Sequence, residues 1–195
     1  MPSNVEIKAI LRNRAAAEAI ATRLSERRRQ RIRQEDIFFH SGGARLKLRV
    51  LGPKRGELIR YERPDVAGLR GSHYSIARTR DPERLREILG QTLGITGVVR
   101  KTRTLYKVGQ TRIHIDQVEG LGDFLEVEVV LRPGQTEIEA TAIAREILRN
   151  FMIEDDQLVA TAYFDLLAGP KGSEPQNLPD PHGSEDYGSL LETLG

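Results

Sequence analysis

Apolar and polar residues alternate with a period of two along several short segments of the chain, which is the spacing of β-strands. In the first segment, residues 3–11, Val5 and Ile7 alternate with Glu6 and Lys8. Further strands are predicted at 32–40, 45–49, 57–63, 72–79, 98–108, 112–116 and 124–129. Short turns join most of these eight strands, and this connectivity implies an antiparallel sheet or barrel.

Segments with helical spacing of apolar residues lie between and after the strands. This spacing predicts helices at 14–27, 81–93, 136–151 and 155–167. The second helix begins with Asp81 and Pro82, residue types suited to an N-cap and to the first helical position. The sequence therefore predicts an α+β fold, an eight-stranded antiparallel β-barrel with helices packed outside it.

The polar face of these strands is almost wholly charged, and the signs segregate between strands. The acidic positions are Glu6, Asp116, Glu126 and Glu128, and the basic ones are Lys8, Arg45, Lys47, Arg49, Lys101 and Arg103. For any single strand, a charged and solvated exterior is the better interpretation. Across five strands, a closed barrel with a charged lumen explains the segregation better.

The charge is also unevenly placed along the chain, which has 195 residues with 30 Lys and Arg against 28 Asp and Glu. Residues 169–195 hold one base and five acids among many Pro and Gly residues, and we predict that they form a disordered acidic tail. Residues 1–168 hold 29 bases and 23 acids. This surplus of positive charge suggests an anionic partner.

The residue types that are missing exclude several classes of protein. The chain has no cysteine, which excludes disulfides, thiolate zinc sites, iron–sulfur clusters and a cysteine nucleophile. No apolar run approaches the roughly 20 residues that span a bilayer, and the N-terminus lacks the apolar core of a signal peptide. We therefore expect a soluble cytoplasmic protein with no membrane partner.

A charged lumen would select its ligand by charge. Several cations that face one cavity repel one another unless an anion of high charge density binds between them, and a chain of phosphates meets this requirement. The carboxylates then suit Mg²⁺ or Mn²⁺, hard ions that bind oxygen donors and often share phosphate oxygens. Glu126 and Glu128 point the same way, roughly 6.6 Å apart along one strand, near enough to serve one metal site.

Five segments of the chain are familiar as a set: NVEIKA at the N-terminus, LKLR at 46–49, KTR at 101–103, the run DQVEGLGDFLEVE that begins at Asp116, and AYFDLL. Together they resemble the CYTH superfamily, the triphosphate tunnel metalloenzymes, over residues 3–168. The resemblance implies an eight-stranded antiparallel tunnel that binds a triphosphate with a divalent metal, so we predict a tunnel domain at 1–168. The sequence looks most like bacterial proteins described as class IV adenylyl cyclase-like.

The resemblance also implies roles for individual residues. The implied metal ligands are Glu6, Glu126 and Glu128, with Asp116 as a further ligand or as a residue that orients the ligands. The implied phosphate-binding residues are Lys8, Lys47, Arg49, Lys101 and Arg103, to which Arg45 and Arg112 are added because they share the same strand faces. Glu6 and Lys8 are the predicted catalytic residues. The pattern departs at Asn4, which replaces the first Glu of the family's E-x-E-x-K and supplies no negative charge.

The function expected from this resemblance is a metal-dependent conversion of ATP to cyclic AMP and pyrophosphate. One alternative is a triphosphatase acting on tripolyphosphate or thiamine triphosphate, and another is a non-catalytic polyphosphate or nucleotide sensor, which Asn4 favours. The run ERRRQRIRQ suggests nucleic-acid binding as a further alternative, but no interleaved aromatic residues support base stacking. We favour a solvated helix end there. The implied partner is a small molecule that contains a triphosphate, and the family allows a homodimer.

Three further residues carry expectations of their own. His114 alternates with Arg112 and Asp116, and we predict a hydrogen-bonded structural role for it. Asp36 in QEDIFF resembles the family's D-x-Y-F, with no function assigned. Tyr163 is expected in the core or at the rim, although AYFDLL resembles a family segment whose Tyr approaches the substrate.

Overall fold

Eight β-strands form one antiparallel sheet in the computed structural model, which describes residues 4–62 and 73–169. The strands are β1 (Asn4–Ile10), β2 (Gln30–Phe39), β3 (Arg45–Gly52), β4 (Arg55–Glu62), β5 (His73–Thr79), β6 (Ile95–Val108), β7 (Thr111–Val118) and β8 (Gly122–Val130). The helices are α1 (Arg14–Leu24), α2 (Pro82–Leu93), α3 (Glu137–Asn150) and α4 (Tyr163–Ala168), with a 3-10 turn at Asp155–Gln157. The predicted α+β class and its eight antiparallel strands are confirmed.

The sheet curls around a cavity of about 1070 Å³. Its strand order is β1-β8-β7-β6-β2-β3-β4-β5, and every neighbouring pair is antiparallel. Within the described ranges, no backbone ladder joins the edge strands β1 and β5. The result is a tunnel that the sheet surrounds without closing it by hydrogen bonds.

On β1, β2, β3, β7 and β8 the apolar row faces outward and packs against helices. On β1, β7 and β8 this row includes Val5, Ile113 and Val127, all with no exposed surface, and α1 and α3 pack on it through small residues such as Ala17 and Ala144. On β2 and β3 the outward row consists of Ile37, Phe39 and Leu48, which pack against Leu85, Leu89 and Leu93 of α2. Because side chains alternate along a strand, burial of these rows leaves the charged rows facing the cavity.

The β7–β8 hairpin brings two charged strands into register. Gly120 and Gly122 in its turn have φ angles of +78° and +99°, a backbone region that residues with a Cβ rarely adopt. The turn aligns β8 so that Glu126 lies opposite His114 of β7 on one side and Lys8 of β1 on the other. Residues from three strands are thereby fixed around one carboxylate.

The predicted helix at 155–167 is wrong. Only a 3-10 turn and the short helix α4 form there, and the chain between them runs along the free edge of β1. Val159 donates its backbone N–H to the Lys8 carbonyl at 2.8 Å, and the Gln157 side chain donates to the Ile10 carbonyl at 3.0 Å. Hydrogen bonds to an unpaired strand edge replace those of a helix in this segment.

The other predicted helices form, with small differences at their ends. Helix α1 stops at Leu24, before the arginine run, while Asp81 caps α2 by accepting the Arg84 N–H at 3.1 Å, as predicted. No helix within the described residues has both the length and the apolar character needed to cross a membrane. The predicted tail beyond Gly169 lies outside the described residues.

Candidate active site

A buried carboxylate holds a lysine and an arginine against one wall of the cavity. Asp116 of β7 is fully buried and accepts hydrogen bonds from Lys101 at 2.9 Å and from Nε of Arg103 at 2.7 Å. Asp116 pairs directly with Arg103 in the β6–β7 register, and Lys101 lies two residues away on the same face. The carboxylate therefore fixes both cations where they line the cavity.

The same arrangement recurs on the neighbouring strands. Asp36 of β2 is 4% exposed and accepts from Lys47 at 2.8 Å and from Nε and Nη2 of Arg49 at 2.8 and 3.0 Å. Asp36 lies opposite Arg49 in the β2–β3 register, as Asp116 lies opposite Arg103. We call each unit, an aspartate with a Lys-x-Arg strand, a cation clamp. The two clamps are Asp36 with Lys47 and Arg49, and Asp116 with Lys101 and Arg103.

In both clamps the pKa values of the aspartate and of the lysine are lowered, for different reasons. Burial alone would raise the pKa of each aspartate, but the adjacent Lys and Arg charges outweigh burial and hold the pKa values of Asp36 and Asp116 below their usual range. Burial lowers the pKa of Lys47 to about 8 and also lowers the pKa of Lys101. An anion entering the cavity would offset this loss of solvation.

An acidic wall faces the clamps from β1 and β8. Glu126 is 4% exposed and contacts the guanidinium of Arg103 and, at 3.4 Å, the ammonium of Lys8. Burial opposes ionisation of Glu126, yet Arg103 and Lys101 hold its pKa well below its usual range. Glu128, on the same face, accepts a hydrogen bond from the Asn4 amide at 2.5 Å and pairs with Arg112 at 3.3 Å.

Glu6 differs electrostatically from the other two glutamates of this wall. Its side chain is 43% exposed, although it lines the cavity, and it pairs with Lys8 at 3.8 Å. The negative charge of Glu126, followed by burial, raises the pKa of Glu6. A carboxylate with a raised pKa accepts a proton more readily than an ordinary one.

His114 lies between the two glutamates of β8. Its Nδ1 is 3.6 Å from Glu126 and its Nε2 is 3.9 Å from Glu128, and burial, with the charge of Arg103, lowers its pKa. Nδ1 is buried and has no hydrogen-bond partner. The expected hydrogen-bonded structural role is therefore not what the geometry shows, since this ring lines the cavity.

The donor chemistry of the acidic wall suits a hard divalent cation. Glu6, Glu126 and Glu128 offer carboxylate oxygens from paired strands, and the repulsion that raises the pKa of Glu6 is what a bound cation would relieve. Among the residues described, no three acidic or histidine side chains converge into a ready-made metal cluster. Glu126 and Glu128 each bind a cationic side chain instead.

Most of the residues predicted from sequence meet at this cavity. Its lining includes Glu6, Lys8, Lys47, Arg49, Lys101, Arg103, Arg112, Glu126 and Glu128. Two predicted residues do not line it: Asp116 lies behind the lysine and arginine of its clamp, and Arg45 pairs with Asp165 of α4 at 2.9 Å. Of the two roles expected for Asp116, orientation of other groups fits this position better than ligation.

Sequence reasoning missed several residues of the cavity. Asp36 was matched to the family without a role, although its alternation with Gln34 and Phe38 places all three on one strand face. Arg145 and Arg149 of α3 also line the cavity, and their spacing of four residues puts them on one helical face. No strand alternation could have indicated these two arginines.

Comparison with known proteins gives the same family as the sequence segments. The CYTH domain model matches residues 3–163. The chain belongs to the CYTH domain family. A Methanocaldococcus jannaschii protein named putative adenylate cyclase is 28% identical to this CYTH protein over 141 residues, 68% of this chain and 80% of the relative.

Solved structures of similar fold cover nearly all of the CYTH tunnel. The PH1012 protein of Pyrococcus horikoshii has a TM-score of 0.73 at 21% identity, covering 83% of this chain and 97% of its own. A putative adenylyl cyclase from Hippeastrum, whose structure is described as revealing a dominant triphosphatase activity, has a TM-score of 0.53 at 16% identity, covering 83% and 91%. Because both identities are this low, the similarity to these two structures establishes the fold of the chain and nothing further.

The clamp of Asp36 can be tested through the pH dependence of folding. Because the folded-state pKa of Asp36 lies below its ordinary value of 3.8, its ion pairs stabilise the fold above that pH, and this stabilisation is lost as the pH falls below it. Asp36→Asn should cost about 3 to 5 kcal/mol at pH 7, because two buried cations lose their counter-ion. Urea unfolding should show that the difference in the free energy of unfolding between the wild type and Asp36→Asn becomes smaller in acid.

The control for this test is Asp156→Asn, which breaks an exposed pair with Arg12 at 3.0 Å. It should cost only about 0 to 1 kcal/mol at pH 7. Equal losses in the two variants, or a loss in Asp36→Asn that does not change with pH, would contradict the assignment of Asp36 to a cation clamp.

Proposed function

We propose that this CYTH protein is a divalent-metal-dependent enzyme that acts on a triphosphate held in its tunnel, with conversion of ATP to cyclic AMP and pyrophosphate as its first candidate reaction. The observation that carries the proposal is that the four cations of the two clamps and three carboxylates line one cavity. Four fixed cations suit a chain of phosphates, and the carboxylates suit the metal that accompanies it.

In this proposal the clamps bind and orient the phosphates. Lys47 and Arg49 neutralise oxygens at one part of the chain, and Lys101 and Arg103 neutralise those at another, because the two pairs are held on separate strands. Lys8 contributes a fifth cation from β1. Positioning and charge neutralisation are the main demands of phosphoryl transfer, so no covalent nucleophile is required.

Glu6 of β1, with Glu126 and Glu128 of β8, would hold Mg²⁺ or Mn²⁺ in the same cavity. The ion would supply charge neutralisation and polarise a phosphoryl oxygen. Glu6, the most exposed of the three carboxylates, takes the proton of the ribose 3′-hydroxyl as that oxygen attacks the α-phosphorus and pyrophosphate leaves.

Two observations support a nucleotide substrate. The cavity has an apolar part lined by Ile59, Tyr61, Ile76 and Phe164, which a nucleobase could contact. The Methanocaldococcus jannaschii relative carries the name of an adenylate cyclase. An inorganic triphosphate has no apolar group to place against this part of the cavity.

A triphosphatase is the second candidate, and His114 favours it. The lowered pKa of His114 keeps its ring neutral near pH 7, and its buried Nδ1 is without a hydrogen-bond partner. A neutral ring beside two carboxylates can orient a water molecule toward the terminal phosphorus. The triphosphatase activity described for the Hippeastrum protein agrees with this alternative.

The test is to supply ATP, thiamine triphosphate or tripolyphosphate with Mg²⁺ or Mn²⁺ and to resolve the products. Cyclic AMP with pyrophosphate from ATP is the expected result, and orthophosphate release would identify the triphosphatase. Glu126→Gln should lower metal-dependent turnover by about 100-fold or more. Glu119→Gln, in the exposed turn after β7, should leave turnover unchanged.

Two results would contradict the proposed enzyme. Tight binding without turnover of any of the three substrates would show a sensor. Salt-sensitive nucleic-acid binding that disappears in an Arg27→Ala, Arg28→Ala, Arg29→Ala variant, and survives Glu126→Gln, would show a nucleic-acid-binding protein.

Asn4 allows a sharper test of the metal. Because its amide already contacts Glu128, Asn4→Glu would place a fourth carboxylate beside the proposed ligands. Calorimetric titration with Mn²⁺ should then show binding about tenfold tighter, since cation affinity rises with ligand charge. Asn13→Asp, which changes the N-cap of α1, adds the same charge at an exposed position and should leave Mn²⁺ affinity unchanged. Unchanged affinity in Asn4→Glu would place the ion elsewhere.

A further inference from the structure

Tyr163, the first residue of α4, contacts two lysines of the phosphate site at once. Its ring centroid is 4.4 Å from the ammonium of Lys8 and 4.8 Å from that of Lys101. Its hydroxyl donates to Asp116 at 3.1 Å, the carboxylate that also binds Lys101 and Arg103. Tyr163 itself is 7% exposed. One buried side chain therefore touches a cation clamp and the lysine of β1.

The residues on either side of Tyr163 fix its position. The Thr161 carbonyl accepts a hydrogen bond from Lys8 at 3.5 Å, Phe164 stacks on Phe38 with centroids 4.4 Å apart, and Asp165 pairs with Arg45 at 2.9 Å.

The backbone of β6 is shaped to admit this segment. A Cβ at Gly97 would lie 2.7 Å from the Phe164 ring, so only a residue without a side chain allows the contact. Arg45, expected to bind phosphate, instead anchors the segment that carries Tyr163.

Lys8 and Lys101 need such a neighbour because both are nearly buried, at 7% and 8% exposure. Burial favours the neutral amine, and burial with the charge of Arg103 lowers the pKa of Lys101. The negative face of an aromatic ring stabilises an ammonium ion most when water is excluded. The other charged groups around these two ammonium ions are Glu6, Asp36, Lys47, Arg103, Asp116 and Glu126.

We propose that Tyr163 is a positioning residue of the phosphate site: its ring holds the ammonium groups of Lys8 and Lys101 in place, and its hydroxyl orients Asp116. This inference rests on the proposed function for the identity of the anion. It assigns Tyr163 a role through the lysines, without requiring contact between the ring and the substrate.

The first test needs no substrate. Two full-length variants are compared, one with Phe and one with pentafluorophenylalanine in place of Tyr163. Both keep the shape of the ring, but fluorination removes the negative charge of its face. Lysine residues labelled with ¹³C at Cε report their own titration by NMR. The Lys101 midpoint should fall to lower pH in the fluorinated protein than in Tyr163→Phe, because the Lys101 ammonium lies 4.8 Å from the ring centroid. Lys54, in the β3–β4 turn, should not change.

The matched control places the same fluorinated residue at Phe151, which is buried in the outer apolar cluster and away from the cavity. Its lysine titrations should match those of the wild type. An equal Lys101 midpoint in the fluorinated protein and in Tyr163→Phe would overturn the inference, whichever anion the protein binds.

The second test measures binding of tripolyphosphate by calorimetry at pH 7. The fluorinated protein should bind about tenfold more weakly than Tyr163→Phe, the scale of a desolvated cation–π contact. Equal affinities would overturn the role of the ring in phosphate binding. A wild-type protein that binds neither tripolyphosphate nor ATP would instead overturn the proposed function, and the lysine titrations separate that failure from failure of the inference.

Discussion

Two buried aspartates make the tunnel possible. Four cations in a confined cavity would repel one another and lose solvation, and each pair is stabilised by one carboxylate that it shares. Asp116 lies behind Lys101 and Arg103, whereas Asp36 lines the cavity together with Lys47 and Arg49, so in both clamps the lysine and the arginine are presented to the cavity. Removal of Asp36 would take the shared counter-ion from Lys47 and Arg49, and removal of Asp116 would take it from Lys101, while Arg103 would still contact Glu126.

The charged rows of this sheet line its interior, whereas the charged face of a half-buried sheet ordinarily faces solvent. The apolar rows of the strands face outward under α1, α2 and α3, so the hydrophobic effect that stabilises the fold acts outside the tunnel. The inner surface is left free for chemistry. The exception is the apolar cluster around Phe38, Phe124 and Tyr163, where α4 packs inside the sheet and contacts the lysines.

Strand alternation predicted the inner faces well because a period of two fixes which residues share a side. Alternation alone was enough to place Glu126 and Glu128 on one strand face, and it did the same for Lys47 and Arg49. The role of Asp36 depended on the register between β2 and β3, which alternation within one strand does not contain. The segment at 155–167 failed for a similar reason, since its hydrogen bonds go to β1, far away in sequence. Arg145 and Arg149 reach the cavity through helix packing.

The most direct test of a phosphate-binding tunnel is a crystal structure of the protein with tripolyphosphate and Mn²⁺, with the ion located by its anomalous scattering. Our account predicts an ion contacting Glu6, Glu126 or Glu128, with phosphate oxygens on the lysines and arginines of both cation clamps. Phosphate bound on the exposed arginines that follow α1, with the tunnel free of it, would contradict the account.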